Sequence, residues 1–269
     1  MPSSLIRPDT RINFFAKSQI EDLIKFIPLS HLLHLNLGDW QTRLRPEVVL
    51  DAVTPVKACL LQAPNLKTFE YSVTGSELLV SGTNIRPFST FKPGEKMPAL
   101  EVLILTAYLW NHSAAEVESS WNFSRLKYLD IRGVPLYAFL STVSFASFSK
   151  LEVLKVGDMA WSVKETFRSY GISLLEDFLA SLPNLEELYM TGQSEALSLQ
   201  ALSHLPKLQI LECREAVLLK DEEEKSLRFT TAQLAQLREY CPYIRELVID
   251  MDVVSTEVRP PFYPIRLNF

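Results

Sequence analysis

The stretch LPNLEELYMTG, from Leu182 to Gly192, is one copy of a pattern that recurs along the 269-residue chain. After a proline it places apolar residues at Leu185, Leu188 and Met190, which gives the spacing Leu-x-x-Leu-x-Leu. Seven further copies begin at Leu32, Leu66, Leu100, Leu126, Leu151, Leu208 and Ile244. Successive copies begin 34, 34, 26, 25, 34, 23 and 36 residues apart. Because every copy fills all three apolar positions, the repetition indicates a structural unit of fixed strands and variable connections.

Each copy predicts a short strand, and the segments between copies predict helices. Within a copy, inward apolar residues alternate with outward ones, which is the period of a β-strand. Between copies the spacing becomes helical over residues 20–27, 172–182, 199–205 and 234–241, and over 48–61 with a kink or restart at Pro55. A strand, a helix and a second parallel strand, repeated every 23 to 36 residues, predict a leucine-rich-repeat solenoid. We therefore predict an α/β fold, a curved arc with about eight parallel strands on its concave face and helices and irregular segments outside.

The repeats predict one solenoid over residues 1–252, with an N-terminal capping helix, followed by a Pro-rich tail over 253–269. Two segments interrupt the pattern: Thr74 to Lys96 is a predicted irregular loop, and Leu219 to Phe229 contains an acidic run. We expect the acidic run to be a solvated surface, with docking of a basic peptide as the alternative. The tail either covers the edge of the last strand or hangs free, and its candidates for packing are Phe262, Tyr263 and Phe269.

Composition narrows the class of protein. The net charge of −5 disfavours a nucleic-acid partner. Charged residues interrupt the first fifteen positions, where a secretory signal needs an apolar block, and no apolar stretch is long enough to span a membrane. Three scattered cysteines suit buried thiols in a reducing compartment. We expect an intracellular protein, cytoplasmic or nuclear, with no membrane contact.

Proline or cysteine just before the strand, as in CPYIRELVIDMD and LPNLEELYMTG, resembles the irregular leucine-rich-repeat proteins abundant in fungi. Many members of that family carry an N-terminal F-box and act as substrate receptors of cullin-type ubiquitin ligases. No recognisable F-box precedes the first repeat here. The Asn or Cys that regular repeats place three residues after the third leucine is also missing. Those positions hold Trp40, Thr74, Tyr108, Val134, Met159, Gln193, Ala216 and Asp252. We therefore expect the turns to be held by apolar packing and by caps specific to each repeat.

No motif of catalytic or cofactor chemistry is present. The sequence lacks phosphate-binding glycine loops, a Gly-x-Ser-x-Gly elbow, a His-Glu-x-x-His motif and any Cys-x-x-Cys pair. His31 and His34 are three residues apart, but we expect them in a turn and on the solvent side rather than as metal ligands. Cys213 and Cys241 are predicted to be buried thiols. Trp110 and Trp121 either pack a short connecting helix onto the core or form an aromatic docking patch. We predict no enzyme activity, no cofactor and no metal.

The outward positions of the strands form the remaining candidate site. Around Val102, Ile104 and Val153 this surface is apolar, and further along it mixes tyrosines with both signs of charge. Exposed aromatic and aliphatic side chains bordered by charge are typical of protein-binding patches. The predicted partner-binding residues are Tyr128, Asp130, Arg132, Lys155, Glu187, Tyr189, Glu212 and Arg214.

The leading interpretation is a non-enzymatic protein-interaction module, related by resemblance to ubiquitin-ligase substrate receptors. The alternatives are an ordinary solvated sheet, a regulator of an enzyme such as a small GTPase, and a hydrolase with an unrecognised site.

Overall fold

The protein folds around one open β-sheet. The computed structural model describes residues 28–41, 56–74, 91–106, 108, 110–157, 165–191, 198–214, 231–250 and 264–268, together with Asp22 and Lys25. The sheet has nine strands in chain order, with β1 and β9 at its two edges. These are β1 His34–Gln41, β2 Thr68–Thr74, β3 Val102–Thr106, β4 Tyr128–Arg132, β5 Val153–Gly157, β6 Glu187–Thr191, β7 Ile210–Arg214, β8 Glu246–Asp250 and β9 Pro264–Asn268. Strands β1 to β8 are parallel, each paired with the next, and β9 is antiparallel to β8. The α/β class and the eight parallel strands are thus confirmed.

The helical segments agree with the predictions where the apolar pattern is long. Residues 56–62 are helical, as are Asp22 and Lys25 within the predicted N-terminal helix. The described helices are α1 Ala114–Ser120, α2 Leu136–Leu140, α3 Glu165–Ala180, α4 Leu199–Leu202 and α5 Thr231–Tyr240. Two 3-10 turns cover Leu29–His31 and Phe145–Phe148. The rest of the predicted 48–61 helix, residues 75–90 of the predicted loop and the acidic run lie outside the described residues. None of the described helices is long and apolar enough to cross a membrane.

A tight turn sets the start of the strand motif. In the copy that begins at Leu185, the N–H of Leu185 donates to the carbonyl of Leu182, with a donor–acceptor distance of 3.3 Å. The same three-residue step links Leu208 to Leu205 and Leu66 to Ala63. Proline occupies the second position of each of these turns. Its fixed φ suits that position, and its missing N–H costs no hydrogen bond there. This explains why proline precedes the apolar pattern.

One carbonyl in each copy then holds the next copy in register. The Lys67 carbonyl accepts from the N–H groups of Glu101 and Val102, at 2.8 and 3.0 Å. The same double acceptance recurs at every step from β1 to β8. The accepting carbonyls belong to Leu33, Lys67, Glu101, Lys127, Glu152, Glu186 and Gln209. Each strand therefore begins at the same height as its neighbour, whatever the length of the segment between them.

Asparagine side chains also tie neighbouring turns together, which the sequence analysis did not predict. Asn184 Nδ2 donates to the carbonyl of Ser149 at 2.8 Å, and Asn65 Nδ2 donates to the carbonyl of Ser30 at 2.7 Å. Lys207 Nζ in turn donates to Asn184 Oδ1 at 2.6 Å. Both asparagines stand directly before the first leucine of their copy, not three residues after the third. Apolar packing and individual caps are therefore supplemented by polar links at this other position.

The apolar positions of the copies form the core on one face of the sheet. The second position of each of the eight copies, from Leu35 to Leu247, is at most 1% exposed. Phenylalanine rings fill the space between this face and the helices: Phe148 lies 4.8 Å from Phe123 and 5.1 Å from Phe178 between ring centroids. Burying a large apolar side chain contributes about 1.5–3 kcal/mol, so a continuous row of them supplies the main stabilisation.

The end of the sheet is closed by part of the predicted tail. Residues Pro264–Asn268 form β9 and pair with β8 along its whole length, from Glu246 opposite Asn268 to Asp250 opposite Pro264. Of the two alternatives predicted for the tail, these five residues follow the first, since they cover the edge of the last parallel strand. Phe262, Tyr263 and Phe269 lie outside the described residues.

We predict that replacing residues 264–268 by a glycine–serine segment of equal length lowers the melting temperature or promotes association. The replacement frees the edge of β8, and unpaired edges template pairing with other chains. Thermal unfolding and light scattering test this. A variant that melts like the wild type and stays monomeric would show that β9 does not stabilise the sheet.

Candidate functional site

The eight predicted partner-binding residues lie together on one face of four consecutive strands, β4 to β7. They belong to the face of the sheet that we call the open face: it bears the first, third and fifth residues of strands β3 to β8, while the second and fourth point into the core. Across it, the register aligns Asp130 with Lys155, Lys155 with Tyr189, and Tyr189 with Glu212. Neighbouring strands are about 4.8 Å apart, so these side chains are adjacent. The register thus places the predicted residues on neighbouring strands, while their role as a binding site stays a prediction.

A lysine between two tyrosines occupies the centre of the open face. Lys155 Nζ lies 4.4 Å from the centroid of the Tyr189 ring and 5.4 Å from that of Tyr128. The Tyr189 hydroxyl donates to Glu187 Oε2 at 2.8 Å. Burial raises the pKa of Tyr189, and the hydrogen bond to Glu187 raises it further. Cation–π contact and hydrogen bonding thus restrict these half-buried side chains before any partner arrives.

Arg132 covers Asp130 on the same strand. Arg132 Nε donates to Asp130 Oδ1 at 2.9 Å, and Arg132 Nη2 donates to Asp130 Oδ2 at 2.7 Å. The Asp130 side chain is 2% exposed and that of Arg132 is 51% exposed. These hydrogen bonds raise the pKa of Arg132. The expectation that Asp130 faces solvent is therefore wrong, because the guanidinium lies over the carboxylate and takes its place at the surface.

A second pair of the same kind is more open. Arg214 Nε lies 2.7 Å from Glu212 Oε1, and the side chains are 45% and 23% exposed. Both pairs join the fifth residue of a strand to its third. In each pair the cation is the more exposed partner, so the arginines dominate the surface at the carboxyl ends of β4 and β7.

The apolar part of the open face is less exposed than a fully solvated sheet. Val102, Ile104 and Val153 are half-buried, and Val248 at the far side is 5% exposed. The predicted apolar patch is therefore present, but its neighbours shield part of each side chain.

The two tryptophans belong to the core. Trp110 is 2% exposed and Trp121 is 7% exposed, with their ring centroids 5.0 Å apart. Trp110 Nε1 donates to Thr142 Oγ1 at 2.8 Å. They pack α1 onto the core, which confirms the first of the two predicted roles, and their burial rules out an exposed aromatic docking patch. Cys213 and Cys241 are buried as predicted, and burial raises the pKa of Cys241 to about 11.

A buried histidine beside these tryptophans was not singled out from the sequence. His112 Nε2 lies 2.7 Å from the Tyr108 hydroxyl, and Nδ1 lies 3.1 Å from Glu116 Oε1. This geometry fits a neutral imidazole that donates from Nδ1 and accepts at Nε2. Burial lowers the pKa of His112, and the nearby Glu116 carboxylate partly opposes that shift. The four-residue spacing from Tyr108 to His112 to Glu116 was the only signal in the sequence.

The open face contains ion pairs and aromatic rings rather than a cluster of possible metal ligands among its described residues. Among the described residues, no group of three or more His, Cys, Asp or Glu side chains could hold a metal ion. No protein-family model matches the chain, and the comparison with curated proteins found no match. Its function must therefore be argued from the geometry of the open face.

We predict that Arg132→Gln destabilises the fold more than Arg214→Gln does. Removing Arg132 leaves the buried Asp130 carboxylate without its partner, which costs about 1–3 kcal/mol, whereas a surface pair contributes at most about 1 kcal/mol. Urea unfolding gives both values. The double variant Asp130→Asn/Arg132→Gln should recover part of the loss, because it removes the unpaired charge. Equal losses for the two single variants would contradict a structural role for the Arg132 pair.

We predict that unfolding stability falls as the pH is lowered below about 6.5. The pKa of His112 is lowered in the folded state, so the unfolded chain binds the proton more readily. The stability that this histidine contributes is present above its unfolded pKa and is lost as the pH falls towards its folded pKa. We expect the free energy of unfolding, measured with urea between pH 7.5 and 5, to fall less steeply with decreasing pH in His112→Gln than in the wild type. The exposed His31→Gln variant is the control, and an unchanged slope in His112→Gln would disprove the assignment.

Proposed function

We propose that the protein is a leucine-rich-repeat solenoid that acts as a non-enzymatic interaction module and binds a protein partner on the open face. The consecutive order of the eight parallel strands supports the solenoid, because a repeat unit that contacts only its neighbours produces that order. In such an arc the strands line the concave side, so the open face would be concave. Concave faces of solenoids are extended binding surfaces.

The observation that carries the proposal is the arrangement of Tyr128, Lys155 and Tyr189. Two half-buried aromatic rings on either side of a cation offer a large contact area at little further cost in side-chain entropy. Tyrosine and arginine are enriched among the residues that dominate binding energy. Arg132 and Arg214 stand beside these rings, so the face has the composition of an interface centre.

The resemblance to fungal leucine-rich-repeat proteins makes recognition of a substrate for a ubiquitin ligase the leading biological role. Under this proposal the open face would select the substrate, while attachment to a ligase would need a surface or segment of its own. A small GTPase among the captured partners would favour the alternative role as a regulator of an enzyme.

We predict that Tyr128→Ala/Tyr189→Ala remains folded and loses its partner. The rings lie outside the core but are half-buried, so each substitution should cost about 1–2 kcal/mol of stability, as expected for the loss of a partly desolvated cation–π contact. Binding should be lost, since each truncated anchor costs about 2 kcal/mol or more of binding energy. Affinity purification from cells with quantitative mass spectrometry measures the binding, and thermal unfolding measures the folding.

The matched control is Tyr170→Ala/Tyr243→Ala, which removes two tyrosines that are 55% and 66% exposed away from this face. The control should retain every partner that the open-face variant loses. If the open-face variant binds normally, and changes in the acidic run from Asp221 to Glu224 abolish binding, then the proposal is wrong and the connecting segments bind the partner.

A further inference from the structure

A row of four residues crosses the carboxyl ends of β4 to β7 on the open face. The register aligns Arg132 with Gly157, Gly157 with Thr191, and Thr191 with Arg214. Two exposed arginines thus stand at the ends of the row, with a glycine and a threonine between them. Three steps between neighbouring strands separate the arginines by about 14 Å. The row therefore has two cationic ends and uncharged residues between them.

Gly157 lies in a tight space, and its backbone conformation does not require glycine. A Cβ atom added at Gly157 would lie 3.3 Å from Cγ of Arg132 and 3.5 Å from Cβ of Thr191. Gly157 is not one of the described glycines with a positive φ, so another residue could adopt its backbone conformation. The absence of a side chain therefore lets the stem of Arg132 lie against the neighbouring strand while its guanidinium covers Asp130.

In the two ion pairs at the ends of this row, the carboxylate is more deeply buried than the arginine. Asp130 is covered and Glu212 is 23% exposed, whereas the arginines paired with them are about half exposed. Lys155 adds a third cation between the pairs. The carboxylates orient the guanidinium groups from below, and the outer donors of each guanidinium remain directed towards the surface. The more exposed groups at the carboxyl ends of β4 and β7 are thus cationic, although the whole chain has a net charge of −5 and Glu187 and Glu246 place carboxylates at the amino ends of β6 and β8.

We propose that this Arg132–Gly157–Thr191–Arg214 row binds an extended acidic segment of a protein partner, with one carboxylate on each arginine. An extended chain rises about 3.3 Å per residue, so acidic side chains four residues apart match the separation of the arginines. Between these two contacts the segment would cross Thr191 and the stem of Arg132, which covers the buried Gly157, and neither carries a charge that would repel it. The inference rests on the proposed function, because it names the chemistry of the partner that the open face recognises.

Fluorescence anisotropy with short labelled peptides tests the proposal on the full chain. The probe Glu-Ser-Ser-Ser-Glu has the matching spacing. Glu-Glu-Ser-Ser-Ser has the same charge with the wrong spacing, and Gln-Ser-Ser-Ser-Gln has no side-chain charge. We expect the matched probe to bind about tenfold more tightly than the neutral one, as a charge-assisted contact at each end predicts, and several-fold more tightly than the mis-spaced one. Equal affinity for all three probes would overturn the proposal.

Three variants locate the binding. Arg214→Gln should weaken the matched probe about tenfold while folding normally, because its pair with Glu212 is exposed. Gly157→Val keeps every charge and should also weaken the probe, since it displaces the stem of Arg132. Arg125→Gln removes an arginine of similar exposure, 52%, paired with Glu101 away from the row, and should change nothing. Binding that survives in Arg214→Gln, or is lost equally in Arg125→Gln, would overturn the proposal.

The outcome separates this inference from the proposed function. If the matched probe fails to bind while Tyr128→Ala/Tyr189→Ala still loses its cellular partner, the open face binds proteins and the acidic specificity is wrong. If neither the probe nor a cellular partner depends on the open face, both proposals fail.

Discussion

The structure depends on one repeated hydrogen-bonding constraint, a backbone carbonyl that accepts from two successive N–H groups of the next copy. At the centre of the sheet the Glu152 carbonyl accepts from Glu186 and Glu187 at 2.8 and 3.0 Å. This constraint fixes where each strand begins, so copies between 23 and 36 residues apart in the chain still align over the first three residues of every strand from β1 to β8. Variation in length is confined to the connecting segments and to the carboxyl ends of β1 and β2, where the register shifts between Leu37 and Trp40.

Much of the fold could be predicted because strands in fixed register require a recurring pattern of apolar residues in the sequence. The apolar positions must recur at fixed spacing to reach the core, and long helices such as α3 show their own period. The short helix α2 has only five residues, too few to show a period. Strand β9 begins at Pro264, shortly after Pro260 and Pro261, and its pairing depends on the edge of β8 rather than on a local pattern. Such tertiary effects cannot be derived from the segment alone.

For the candidate site, the sequence likewise predicts which residues share a face of the sheet but not how deeply each side chain is buried. Alternation along a strand places Tyr128, Asp130 and Arg132 on one face, and the repeat places Lys155 and Tyr189 beside them. Alternation does not reveal how deeply each side chain is buried. Asp130 is covered because Arg132 bends back over it, and Arg132 has room to do so because the next strand has Gly157 at the facing position. The burial of one carboxylate thus depends on the absence of a side chain on another strand.

This dependence separates the two arginines of the open face by role. Arg214 and Glu212 both reach solvent, so water can replace either partner, and the position can change with the requirements of binding. Arg132 neutralises a carboxylate that water does not reach, so it stabilises the sheet in addition to its proposed contact with a partner. The charge at the Arg132 end cannot be reversed without leaving the buried Asp130 carboxylate unpaired, whereas the charge at the Arg214 end can be reversed. We expect the Arg132 end, together with Gly157, to be the fixed part of the recognition surface, and the Arg214 end to be the part where specificity can be altered without loss of the fold.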